Sequence, residues 1–196
     1  MADIKAIIKN NKDDIIKPIA VLLAICIIIP LALSVTNKIT AEKIAQLETE
    51  NSNKNMALLV KAESYKRCET NGIVYYAAVN GGNTAAYIFT ESAKGYGGDV
   101  SVMTAVNTDG TVSGTAILDV SNETPGLGQN AAKEGFYSQF KGLKKGISLL
   151  KNGADGEKNE INAVTGATIT SAAVTRAVNA ALDDFDKVRE AESGEE

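Results

Sequence analysis

Pro18 to Asn37 form a run of twenty positions without a single charge, and the core Ile19–Val35 is almost wholly apolar. At about 1.5 Å per residue such a run reaches roughly 30 Å, the thickness of a bilayer's hydrocarbon core. The pattern predicts one transmembrane helix over 18–37. Pro30 is tolerated in a spanning helix, where neighbouring groups satisfy the freed carbonyl. The span holds no Asp, Glu, Lys or Arg, which argues against an ion path along this helix alone. A cleavable secretory signal is the competing reading, because Ala32-Leu33-Ser34 has the small-x-small form of a cleavage site. The apolar core is longer than the usual ~7–15 residues of a signal, and its charged lead-in is long, so the anchor is preferred.

Beyond the anchor the periodicity changes. Residues 38–55 are polar and helix-permissive and read as a stalk, and Met56–Ala62 is a short apolar helical stretch. A β-rich block follows. Ile73–Val79 and Thr84–Thr90 flank Asn80-Gly81-Gly82-Asn83, and Val100–Val106 and Val112–Val120 flank Asn107-Thr108-Asp109-Gly110. Both connections are hairpin signals. Gly95-Tyr96-Gly97-Gly98 reads as a tight loop between the two hairpins. Asn130–Phe140 reads as a helix and Lys141–Lys158 as loop. Val174, Ala177, Val178, Ala181, Leu182, Phe185 and Val188 recur at three- and four-residue steps, the signature of a final amphipathic helix. Thr170 or Ser171 is its expected cap. The predicted architecture is α+β: a twisted antiparallel sheet with packed helices, preceded by one N-terminal transmembrane helix. Its divisions are an N-terminal segment (1–17), the anchor (18–37), the stalk (38–55), the main domain (56–191) and a frayed acidic tail (192–196).

Charge sets the orientation. Lys5, Lys9, Lys12 and Lys17 precede the span, whereas Lys38 and Lys43 follow it closely and Lys54 lies further out. This bias places the N-terminus in the cytoplasm and the main domain outside it, in the cell (inner) membrane. The net charge of −4 leaves no domain-wide basic field for nucleic acid. The chain has no His, which excludes Ser-His-Asp and Cys-His catalysis and His-rich metal sites. Two cysteines, Cys26 and Cys68, are too few for a zinc ribbon or an iron–sulfur cluster within the chain, and no metal site is expected. Any redox or acid–base chemistry must therefore use carboxylates, hydroxyls, lysines or a borrowed cofactor.

Three stretches are candidates for chemistry. Thr165-Gly166-Ala167-Thr168-Ile169-Thr170-Ser171 places three threonines and a serine around one glycine, immediately before the final helix. The structural reading is a cluster of caps for the helix's free amides. The functional reading uses the same amides and the dipole to favour a phosphate, with a threonine hydroxyl carrying it as an ester. Glu123-Thr124-Pro125-Gly126-Leu127-Gly128 contains strong turn punctuation. Gly126-Leu127-Gly128-Gln129-Asn130-Ala131 also fits G-x-G-x-x-G/A, but no strand leads straight into the glycines and the surrounding strands are hairpins, so a dinucleotide site is rejected. Lys133, Lys141, Lys144, Lys145 and Lys151 form either a solvated face or an aid to holding an anionic cofactor.

Taken together behind one span, these motifs resemble the G subunits of Rnf-type ion-translocating electron transport complexes. More distantly they resemble the C subunits of the sodium-pumping NADH:quinone reductases. The resemblance covers nearly the whole chain: the anchor, Gly95–Gly98, Asn107–Leu118, Glu123–Gly128, Phe140-Lys141-Gly142 and Thr165–Ser171. It implies FMN attached covalently, through a phosphoester to Thr168, with Thr165, Gly166 and Ala167 forming the sequence read by a separate flavin transferase. It also implies that Glu123, Thr124, Gly126, Leu127 and Gly128 lie against the flavin. Two positions depart from the family pattern. Asn162 stands where an acidic residue is common, six before the modified threonine, and Ser121 stands where a His is common, two before the loop glutamate.

The function so implied is electron relay through FMN in a ferredoxin:NAD oxidoreductase complex coupled to ion movement. Its partners would be the other membrane subunits, the flavin transferase and the lipid bilayer. No complete active site and no catalytic side chain is expected within this chain. Two other readings remain open from the residues: a membrane-tethered binding or assembly module without flavin, and a covalent-FMN carrier in a different extracellular electron-transfer chain.

Overall fold

The computed structural model describes residues 12–194, so residues 1–11 of the N-terminal segment and 195–196 of the acidic tail lie outside the described residues. The chain divides into two compact units between Asn51 and Ser52. Helix α1 runs from Lys12 to Leu59, with Pro18 and Pro30 inside it. In the first unit its stretch Ile16–Lys38 has a mean hydropathy of 2.8, is wholly unburied, and is long and apolar enough to cross a membrane. That stretch coincides with the span expected over 18–37. The expected stalk, 38–55, is helical too, and continues α1 rather than forming a separate element.

The second unit is an α+β domain. Strands β1 (Ser64–Thr70), β2 (Ile73–Asn80), β3 (Asn83–Lys94), β4 (Asp99–Asn107) and β5 (Val112–Asp119) form an antiparallel meander in the order β1-β2-β3-β4-β5. Every connection within it is a short hairpin. Asn71-Gly72 and Gly81-Gly82 both turn with positive φ, the geometry that suits the twist of two-residue loops. In the β4–β5 connection Gly110 donates to the Asn107 carbonyl at 2.9 Å and has φ +80°.

The strand alternation sorts side chains to two faces. Val100, Val102 and Val106 of β4, with Tyr87 and Phe89 of β3, pack under helix α3 (Thr168–Gly194), which contributes Val174, Ala177, Val178, Ala181, Leu182, Phe185 and Val188. These seven are the positions whose spacing predicted the helix, and all are buried. Met103 and Ala105 face the other way, with Ile88, Ala78, Ala86 and Met56 of α1.

Between β5 and α3 the chain departs from expectation. Asn130–Phe140 is not one helix. It is a 3₁₀ turn (Gly128–Ala132), a single α-turn, α2 (Glu134–Tyr137), and a second 3₁₀ turn (Ser138–Phe140). Extended backbone at Lys133 (φ −83°, ψ 143°) breaks the run. Phe136 and Phe140 still meet edge to face at 5.7 Å, because both must enter the core. Lys141–Lys158, expected as loop, contains β6 (Ser148–Leu150), which pairs in parallel with β7 (Glu160–Asn162).

The tail is ordered further than expected. α3 continues to Gly194, and Glu192 accepts hydrogen bonds from the hydroxyls of Tyr87 at 2.7 Å and Tyr75 at 3.2 Å. Burial, then the Glu192 carboxylate, push the Tyr87 hydroxyl up to about 12, so it remains a donor at any physiological pH.

Candidate functional site

The site lies where three segments converge: the Gly95–Gly98 loop after β3, the Glu123–Gly128 loop after β5, and the start of α3. Helix α3 begins at Thr168, two residues before the first expected cap. Thr170 and Ser171 therefore sit inside its first turn and do other work. The Ser171 hydroxyl donates to the Ala167 carbonyl at 2.9 Å and accepts from the Val164 amide at 3.0 Å. It pins the incoming chain to the helix start. The Thr170 hydroxyl donates to Glu123.

Glu123 is the hub of the site. Its carboxylate is almost wholly buried, at 2% exposure, yet it faces donors on two sides. Besides Thr170 it accepts from the Gly97 amide at 2.9 Å. Burial alone pushes the carboxyl up, but the Thr170 hydroxyl and the amides of Gly97, Gly98 and Tyr96 outweigh it and hold Glu123 below the ordinary glutamate value. The group is an anion that ties the Gly95–Gly98 loop to α3.

The glycines make this closeness possible. A Cβ on Gly95 would strike Glu123, one on Gly97 would strike the Asn122 carbonyl, and one on Gly128 would lie 2.8 Å from both Glu123 and Thr170. Gly166 has φ +77°, and a Cβ there would come within 3.0 Å of Leu127. Gly166→Ala is accordingly expected to cost about 1–2 kcal/mol. A thermal melt of the variant should show a fall of a few degrees.

Above this buried framework lies a cleft of about 490 Å³, lined by Tyr96, Thr124, Leu127, Gly128 and the residues 166–170. That volume falls within the range of about 300–1,000 Å³ typical of small-molecule sites. Tyr96, Leu127 and Ile169 stand 71%, 44% and 54% exposed around it, so the site presents apolar surface that only a ligand or partner would cover. A second cavity of about 250 Å³ shares Gly166 and Thr168 with the cleft and adds Lys151, Asn152 and Thr165.

Of the residues predicted to form the site, Thr124, Leu127, Gly128, Gly166, Ala167 and Thr168 line the cleft, and Thr165 lines the smaller cavity beside it. Glu123 lies beneath the cleft rather than on its surface, and Gly126 lies outside the lining, its carbonyl accepting from the Asn130 side chain at 2.6 Å. The Asn162 side chain accepts from the Ala154 amide at 3.0 Å, and its backbone pairs with Gln139. Ser121 is exposed, and its amide donates to Asp119. The five lysines do not form one face. Lys145 bridges Asp183 and Asp186 of α3, Lys141 and Lys133 line other depressions, Lys144 points to solvent, and only Lys151 reaches the site. Tyr96, Ile169 and Thr170 are the contributors absent from the predicted site residues. A Gly-Tyr-Gly-Gly loop with a lone aromatic between flexible residues was the available signal for the first.

The arrangement suits a flavin nucleotide. Apolar rim side chains offer contact to a planar ring. The first amides and positive end of α3 suit an anion, and an exposed hydroxyl stands at the helix's first residue. A family model described as an FMN-binding domain matches residues 95–183. The G subunit of the proton-translocating ferredoxin:NAD(+) oxidoreductase complex of Clostridium ljungdahlii is 39% identical over 81% of this chain and 84% of its own length. The G subunit of the Na(+)-translocating complex of Acetobacterium woodii is 31% identical over 84% and 88%. Among solved structures, the C subunit of the Na(+)-translocating NADH-quinone reductase from Parabacteroides distasonis superposes with a TM-score of 0.51 at 27% identity, covering 58% of this chain and 61% of that one. The meander, the glycine-built cleft and the threonine at the head of α3 are thus found in a chain that belongs to the G subunits of ion-translocating ferredoxin:NAD oxidoreductase complexes.

Proposed function

We propose that this chain is the membrane-anchored flavoprotein subunit of an ion-translocating ferredoxin:NAD oxidoreductase complex, relaying electrons through FMN esterified to Thr168. The observation that carries the reading is the Thr168 hydroxyl: exposed, at the first residue of α3, on the shared rim of both cavities. Bound FMN supplies exchange of one or two electrons, which lets it join single-electron to paired-electron carriers. The protein's own part is positional. Thr168 would hold the phosphate end, the amides of α3 would meet its charge, and Tyr96, Leu127 and Ile169 would give apolar contact to the ring. Gly166 and Gly128 keep the cleft floor at backbone height.

The ester would join Oγ1 of Thr168 to the flavin's phosphate. Its formation releases the hydroxyl proton and the group that had activated the phosphate. A separate flavin transferase supplies that activated donor. The family's usual acidic position is Asn162 here, and its side chain is engaged by Ala154, so transferase recognition rests on Thr165-Gly166-Ala167 and the surface around them.

In the proposed topology residues 1–17 are cytoplasmic, 18–37 cross the membrane, and the flavin domain lies outside the cytoplasm. There a covalent link prevents loss of a dilute cofactor, and docking on the other membrane subunits sets the distance to donor and acceptor. The sites for ferredoxin and NAD belong to those partners. The test is peptide mass analysis of native material. The tryptic fragment Asn159–Arg176 is expected to carry FMN less one water, and an unmodified fragment from authentic membranes would overturn the ester.

A further inference from the structure

The sequence offers five candidate lysines for an anionic cofactor, and the fold separates them. Among the described residues no charged side chain lines the main cleft, and Lys151 is the only one lining either cavity. It lies on the segment after β6, and the parallel β6–β7 pair holds that segment beside the approach to α3. Asn162 closes the same turn by accepting from Ala154. Among the described residues Lys151 takes part in no ion pair, whereas Lys145 is committed to two aspartates. An exposed ammonium without a partner thus shares a cavity of about 250 Å³ with Thr165, Gly166 and Thr168.

Resting on the ester reading above, we infer that Lys151 is the counter-ion of the flavin phosphodiester at Thr168, a positioning residue for the phosphate end of the cofactor. A diester of this kind retains one negative charge at neutral pH. The α3 amides meet that charge from the helix axis, and the buried Glu123 anion lies on the floor of the same site, where it repels it. A cation on the open side completes the balance. Lys rather than Arg suits the position, because its point charge on a flexible stem can follow a linkage that turns about several bonds. An exposed pair of this kind is worth a few-fold in occupancy, and it weakens as salt shortens the Debye length.

The experiment uses the full chain in membranes, expressed with a flavin transferase at limiting level. Lys151→Ala, Lys151→Glu and Lys151→Arg are compared with wild type, and Lys141→Ala, on a different depression, is the control. The modified fraction is read from intact-protein mass. It is expected to fall about three- to fivefold in K151A, further in K151E, and to recover in K151R and the control. Melting of flavin-bearing and flavin-free forms gives a second readout. The gain in melting temperature on modification should shrink in K151A and the difference should vanish at high salt, while the flavin-free forms melt alike. A full wild-type gain retained in K151A overturns the counter-ion, and a lowered modified fraction alongside it assigns Lys151 to transferase recognition instead. Wild type modified and K151A equally modified also overturns it while leaving the ester standing. Wild type without flavin overturns the ester reading and this inference with it.

Discussion

Thr168→Ala is expected to abolish covalent flavin completely while the domain folds as before. Four hydroxyls stand between Thr165 and Ser171, and the structure separates them by what they already do. Thr170 is buried and donates to Glu123, and Ser171 is buried and donates to Ala167. Neither is free to be esterified without breaking the start of α3. Thr165 and Thr168 are exposed, and of the two only Thr168 belongs to the helix and lines both cavities. Its hydroxyl makes no hydrogen bond among the described residues. Removing it therefore leaves nothing buried unpaired, and a surface change of this kind costs within about 0.5 kcal/mol. The melting temperature should move by no more than about 2 °C. In-gel ultraviolet fluorescence of the denatured band should disappear. Thr165→Ala is expected to lower the modified fraction without removing it, since it changes the recognised surface and not the acceptor. Fluorescence persisting in T168A and lost in T165A would move the ester to Thr165.

The elements legible in the sequence were those whose burial imposes a pattern. Strands β2, β3, β4 and β5 each bury side chains, and each is bounded by Gly- and Asn-rich turns, so composition and punctuation agree. The seven periodic positions of α3 were readable for the same reason. Strand β1 was not. It is one of the two edge strands, none of its side chains is buried, and SYKRCET carries no apolar alternation. Its trace was the Asn71-Gly72 pair, a hairpin signal standing before Ile73. β6 and β7 are three residues each, too short for periodicity, and their parallel pairing brings together Ser148 and Glu160 from separate turns. At Asn130–Phe140 a four-residue spacing of aromatics was real but local. Helical spacing needs only one turn, and the chain supplies α2 and two 3₁₀ turns to meet it. At the site, Thr165–Ser171 and Glu123–Gly128 were visible as motifs. Their coupling through Glu123 and Thr170 was not, because a contact across 47 residues leaves no mark on spacing.

That coupling carries the largest expected effect on stability. Glu123→Ala strands the buried Thr170 hydroxyl without a partner, which costs about 1–3 kcal/mol, and takes the acceptor from the Gly97 amide, which is exposed and can turn to water. A fall in melting temperature of several degrees is expected, with the Tyr96 loop and the head of α3 released from each other. Glu123→Gln keeps the shape and one acceptor oxygen, and should cost less. The same carboxylate makes stability depend on acid in a defined direction. Folding lowers its pKa below the ordinary 4.5, so the folded state holds the proton less tightly than the unfolded chain. The stabilisation is fully present above about pH 5 and drains away as the pH falls through the folded value. Melting curves of wild type and E123Q should therefore run parallel from pH 7 to about pH 5 and draw together as the pH falls further. Curves that stay parallel into acid would show that this carboxyl is not held as an anion. The clamp joining the Gly95–Gly98 loop to the helix would then be a neutral hydrogen-bond network in which a protonated Glu123 donates as well as accepts.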